Sequence, residues 1–295
     1  MPSFIFYLIA LPLLGLASTS CSRERNPHDQ SPAPIVDPVA SEVRQHEGNT
    51  IQSRFVPPEG FHREQASPNS FANYLRNLPL KPEGSLVHYF DGSVKPNQNI
   101  YSAVVDIDVG NRDLQQCADA IMRLRAEWLY AQKQYDEISF TFNNGFVASY
   151  ARWRQGERIR VSGNQVSWYK ATSPSVSYTS FRKYLTMVFA YAGTAALEQD
   201  LKPRPMDRVE IGDVLIQGGS PGHAVIVVDK VVHSTSGAVR LLLAQSYMPA
   251  QDIQILQVPG ARDLTSWYEW PGSAVFETPE WVFKTSDLRF FPDLE

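Results

Sequence analysis

The sequence predicts a mixed α+β domain built on a central antiparallel sheet with two main helices. Three observations carry this reading. Ile211–Leu256 is a series of short apolar runs separated by glycine and proline turns. Two stretches, beginning near Asp113 and Thr179, repeat apolar residues at helical spacing. With 295 residues, 43% of them hydrophobic and 12% aromatic, the chain is long and apolar enough to bury one substantial core.

Taken in order, Phe4–Leu16 is apolar and runs into Ala17-Ser18-Thr19-Ser20-Cys21. A short apolar segment ending in small residues reads as a secretory signal over residues 1–20 rather than a spanning helix. Residues 21–52 carry Pro27, Pro32, Pro34 and Pro38, many charges and little apolar periodicity, so they read as a disordered tether. A single folded domain is expected over residues 53–295. Ser67-Pro68-Asn69 starts a short helix with Phe71, Tyr74, Leu75 and Leu78 on one face, ended by Pro79. Leu86–Phe90 reads as a strand. Tyr101–Val109 alternates, with Asp106 and Asp108 on one face; paired acids can serve proton transfer or a metal, but the reading preferred is a solvated strand face.

Asp113 and Gln116 stand at capping-box spacing for a helix to about Gln134. Its apolar stripe is Leu114, Cys117, Ala118, Ile121, Leu124 and Trp128. Ile138–Phe142 and Phe146–Trp153 read as strands about an Asn143-Asn144-Gly145 turn. Thr179–Leu197 is the second helix. Beyond it, Val214–Ile216 is a strand, the 218–222 run forces a turn, and Ala224–Val232 is apolar on both faces, as a buried central strand should be. Arg240–Ala244 is its antiparallel neighbour. His223 opens one strand and Gln245 closes the next, so two polar side chains meet at one end of the ladder among apolar residues. Trp267–Trp270 and Glu277–Phe283 read as a further aromatic-rich hairpin.

Composition excludes several classes. A net charge of −4 with dispersed basic residues argues against nucleic acid as a partner. The two cysteines, Cys21 and Cys117, exclude a disulfide framework, and no C-x-x-C or paired-histidine spacing points to a structural zinc. No cofactor is expected. After residue 20 no apolar run is long enough to cross a bilayer.

The Gly212-Asp213 strand, the Gly222-His223 start of an apolar strand and the following strand that ends in an amide together resemble the C-terminal half of papain-like cell-wall hydrolases of the NlpC and CHAP types. The resemblance implies a papain-like core in which His223 is the base and Gln245 (or Ser246) orients its ring. In NlpC-type enzymes the helix before the Gly-Asp strand carries Asp-Cys-Ser-Gly-Phe. Here that helix begins Ser177-Tyr178-Thr179-Ser180-Phe181, so Tyr178 occupies the cysteine position and the domain reads as catalytically degenerate. Gln115-Gln116-Cys117 resembles the nucleophile context of CHAP amidases, which offers Cys117 instead; its place on an apolar stripe argues for a packing role. Ser246 and Thr179 are hydroxyls without a supporting motif. The small residues before Cys21 resemble a lipoprotein cleavage site, which implies a lipid on Cys21, a membrane anchor and a place on the bacterial cell envelope. The whole chain, including Arg112–Tyr130, also resembles an uncharacterised family of bacterial lipoproteins.

Three functions stay open on this reading. The first is an anchored binding or scaffold module that keeps a papain-like cleft without its nucleophile. The second is a cysteine hydrolase that cleaves peptidoglycan amides with Cys117, His223 and Gln245. The third is an unrelated binding lipoprotein whose Trp153, Trp168, Trp267 and Trp270 stack on a sugar or peptide. The partners expected are the membrane, through the anchor, and peptidoglycan or an envelope protein. His88 and His233 read as turn residues.

Overall fold

The computed structural model describes residues 48–261, 265–270 and 274–292. The expected signal segment, Cys21 and nearly all of the tether lie outside these residues. Folded structure begins slightly before residue 53: the Thr50 side chain caps the Ile51–Arg54 helix, and Ile51 is fully buried.

The architecture is α+β around a nine-stranded antiparallel sheet. Its order is Tyr101–Val104, Gln254–Leu256, Val239–Gln245, His223–His233, Val214–Gln217, Leu288–Phe290 and Lys202–Pro203. Phe61–His62 pairs with the far end of the His223–His233 strand, and Tyr268–Trp270 pairs with Val239–Leu241. The His223–His233 strand is central because both of its faces are apolar. Ala224, Ile226 and Val228 enter the larger core, which they share with the helices. Val225 and Val227 enter a second core with Leu241, Leu243, Tyr268 and Phe283. Burying a side chain of this size contributes roughly 1.5–3 kcal/mol, so a register slip that exchanged the two faces would cost far more than the fold can lose. A bulge opposite Leu242 and Leu243 leaves Val228 unpaired.

The described residues contain six α-helices. Several boundaries differ from expectation for local reasons. The third helix is Cys117–Ala131 and starts at Cys117, not Asp113. The Asp113 carboxylate is spent elsewhere, accepting from the Ala250 N–H at 2.7 Å and from Gln116 Nε2 at 3.0 Å. The helix expected over Thr179–Leu197 is two, Tyr178–Tyr191 and Thr194–Asp200, separated by extended backbone at Ala192 and Gly193. The strand expected over Phe146–Trp153 stops at Ser149, and Tyr150–Arg154 is helical. One helical turn brings both Tyr150 and Trp153 into the core, where the Trp153 indole donates to the Ser180 carbonyl. Leu86–Phe90 makes only isolated bridges, His88 with Val94 and Tyr89 with Gln251. Val275–Glu277 pairs with Val282–Lys284, while the Trp270 strand joins the main sheet instead. No helix among the described residues is long and apolar enough to cross a membrane.

Candidate active site

Cys117 is the first residue of its 15-residue helix. The opening N–H groups of a helix have no partner within it and present the positive end of the helix dipole. The N–H groups of Cys117 and Ala118 act on the sulfur, as does the backbone N–H of Ala224 on the central strand. The sulfur therefore lies against the residue that follows His223. The helix packs its Ala118 and Ile121 into the large core with Ala224 and Ile226, which fixes this approach.

His223 is 1% exposed, and its Nε2 lies 2.8 Å from Gln245 Oε1. The direction of that bond follows from what lies behind it. Gln245 Nε2 donates to Glu280 Oε2 at 2.6 Å, and the Glu280 carboxylate also accepts two bonds from the buried Lys95 ammonium at 2.7 and 2.8 Å. A carboxylate accepts only, so the amide nitrogen faces Glu280 and the amide oxygen faces histidine. Nε2 must then carry the proton. That leaves Nδ1 with its lone pair free, and among the described residues no group donates to it. Tyr247, Trp281 and Phe283 surround the ring, with centroids 4.8, 5.5 and 6.0 Å away.

Burial dominates the electrostatics of the pair. The helix amides favour a thiolate, yet desolvation wins and pushes the Cys117 thiol up to about 11. Desolvation likewise lowers the His223 imidazole to about 4; the bond to Gln245 opposes this and the Lys95 charge assists it. At rest Cys117 is a neutral thiol and His223 a neutral imidazole.

Cys117 is 6% exposed and lines a cleft of about 200 Å³. Its walls come from the turn before Cys117, from Ala192, Gly193 and Thr194 at the helix break, and from the 219–222 turn. Gly222 is required by close approach: a Cβ there would lie 2.4 Å from Thr194 Oγ1 and 2.6 Å from the Gly219 carbonyl oxygen.

The remaining candidates stand apart from this cluster. Tyr178 is half exposed, and its hydroxyl donates to Glu127, ten residues and about 15 Å along the helix from Cys117. Thr179 is exposed. The Ser246 hydroxyl lies 2.9 Å from both the Gln115 and Gln251 carbonyl oxygens, so its proton is committed to structure. Asp106 and Asp108 are exposed. Trp153, Trp267 and Trp270 are core residues, and Trp168 stacks under Arg152 on the 157–170 hairpin. His88 faces Asp252, and His233 packs on Phe61. Among the described residues no three His, Cys, Asp or Glu side chains gather as a metal site. Glu280, Lys95 and Trp281 escaped the sequence reading because nothing in their spacing ties them to His223; only the fold does.

The family model described as domain of unknown function (4846) matches residues 51–290. No curated protein and no solved structure matches the chain.

Proposed function

The chain belongs to the family of domain of unknown function (4846), and on that premise we propose that its cleft performs cysteine-dependent acyl transfer, hydrolysing an amide. The observation that carries this is the polarised chain Lys95–Glu280–Gln245–His223, which leaves one imidazole nitrogen free beside the residue whose N–H acts on the Cys117 sulfur. A purely structural histidine has no need of a third and fourth group to set its tautomer. The resemblance to papain-like cell-wall hydrolases points the same way, with Cys117 rather than Tyr178 in the nucleophile's role.

The chemistry follows from the neutral pair. As the sulfur attacks the carbonyl carbon, its proton passes to His223 Nδ1, and the amides at the helix start receive the developing oxygen charge. Breaking the C–N bond returns that proton to the departing amine and leaves a thioester on Cys117. A water then gives its proton to Nδ1 as it attacks the thioester. The acid leaves, and the thiol regains the proton. With a resting thiol near 11, little thiolate exists at neutral pH, so proton transfer and attack are coupled in one step. The expected signal and Cys21 anchor would place this reaction in the envelope, with peptidoglycan stem-peptide amides as substrates.

The test is covalent capture. A peptidyl fluoromethyl ketone incubated with the full chain at pH 7.5 should modify Cys117, read by mass spectrometry. His223→Ala should slow capture at least ~100-fold, the scale of losing a general base. The second reading, a binding module without catalysis, is favoured by the depth at which the thiol is buried. Capture at equal rates in the wild type and His223→Ala, or no capture before unfolding, would establish that reading and overturn ours.

A further inference from the structure

The walls of the cleft are chemically one-sided. Asp113 and Asp119 line it beside Cys117, and among the described residues none that lines it is a lysine or arginine. The two acids are not alike. Asp113 Oδ1 already accepts from Ala250 and Gln116. Asp119 is 5% exposed; its Oδ2 accepts the Gln116 N–H at 3.1 Å, while Oδ1, also buried, accepts no hydrogen bond from any described residue. A buried carboxylate oxygen left unbonded costs on the order of 1–3 kcal/mol, so folds keep one where it has other work. The strain shows in the titration: burial above all, with Asp113 adding to it, holds the Asp119 carboxyl well above its ordinary range. A cation seated against Oδ1 would relieve both deficits at once, donating the missing bond and compensating the charge.

We propose that Asp119 is the recognition group for a protonated primary amine on the substrate, a few bonds from the amide carbonyl that Cys117 attacks. This inference rests on the acyl-transfer reading for the place of that carbonyl. Asp119 and Cys117 line the same cleft from the first turn of one helix, so nucleophile and acid share one rigid mount. Asp113 supports the site as a second negative charge. A group without a donor in the same place would leave Asp119 unpaired, and an anion would in addition meet repulsion from both acids. Specificity would then come from rejection as much as attraction. Two sources supply such a nitrogen, a free peptide N-terminus and the side-chain amine of a diamino acid, and the experiment separates them.

Four fluoromethyl ketone probes of one peptide backbone are compared on the full chain: with a free N-terminus, with a lysine side-chain amine, and each amine acetylated. In the wild type, one amine probe should capture Cys117 about tenfold or more faster than its acetylated twin, the scale of one charge-assisted bond. Which amine is preferred identifies the source. In Asp119→Asn the ratio should fall to about one. Because the wild-type ratio needs no variant, a misfolded Asp119→Asn cannot hide the answer. A second arm is independent of chemistry: Cys117→Ala is titrated calorimetrically with the same backbones lacking the electrophile. Capture without amine preference overturns this proposal and leaves acyl transfer standing. Amine-selective binding without capture sinks acyl transfer and keeps the amine site. Neither capture nor selective binding refutes both.

Discussion

His223 and Asp229 lie on one strand, both buried, and their surroundings are opposite. Asp229 takes Arg63 Nε on one oxygen and Arg76 Nε on the other, each at 2.7 Å, and the Lys230 N–H at 2.9 Å. Arg76 also donates to the Glu64 and Lys230 carbonyls, so the cluster ties the first helices to the far end of the sheet. Each charge there has a geometric partner. At the cleft end His223 has a neutral partner on one nitrogen and, among the described residues, none on the other. Full compensation marks a place where the fold is held shut, and a deliberately unfinished polar group marks a place where something else is meant to bind.

The largest test of that contrast is Asp229→Ala. Removing the acid strands two guanidiniums and should cost about 3–5 kcal/mol in urea unfolding, while capture of Cys117 per folded molecule stays within about twofold. A loss below about 1 kcal/mol would mean the cluster is not the clasp described here. Next comes the acid limb of stability. His223 titrates near 4 when folded and near 6.5 when free, so the unfolded chain binds the proton first as pH falls. Its contribution, fully present above pH 6.5, is lost as pH drops toward 4, and amounts to about 3 kcal/mol. Subtracting the urea stabilities of His223→Gln from those of the wild type across pH 4–7 isolates it, and a flat difference would refute the buried neutral ring. The smallest effect belongs to Glu280→Gln. An amide in place of the carboxylate no longer dictates which way Gln245 faces. Nitrogen NMR of labelled histidine should show the single Nε2–H tautomer of the wild type become a mixture, with capture slowed about tenfold. A variant that is slower yet keeps one tautomer would reduce Glu280 to packing.

Much of the sheet was legible because its signals are local. The Val214–Ile216 and Ala224–Val232 runs, the glycine turn between them and the pairing that brings His223 to Gln245 all follow from neighbouring residues, and the strands formed within a residue or two of expectation. The helix carrying Cys117 was visible but misplaced by a turn, because Asp113 and Gln116 have capping-box spacing yet spend that carboxylate on Ala250. That shift matters: a cysteine one turn in is a stripe residue, whereas a cysteine at the first position faces free amides. The alignment through Phe181 drew attention to Tyr178, which lies far along the neighbouring helix from the cleft. Lys95, Glu280 and Asp119 were not legible as site residues. Their meaning depends on contacts across the chain, or on a bond that is missing.

Ser246 has a mechanical consequence. Its single proton, shared between the carbonyls of Gln115 and Gln251, joins the segment leading to the sulfur with the strand end leading to the orienting amide. Thermal displacement of one is therefore carried into the other. The spacing between two bodies depends only on the difference of their motions, so shared drift cancels from it, like common-mode noise in a differential circuit. Alignment across the cleft can then survive breathing of the surrounding loops, and the walls are free to vary in shape, and so in what they admit, without disturbing Cys117 and Gln245.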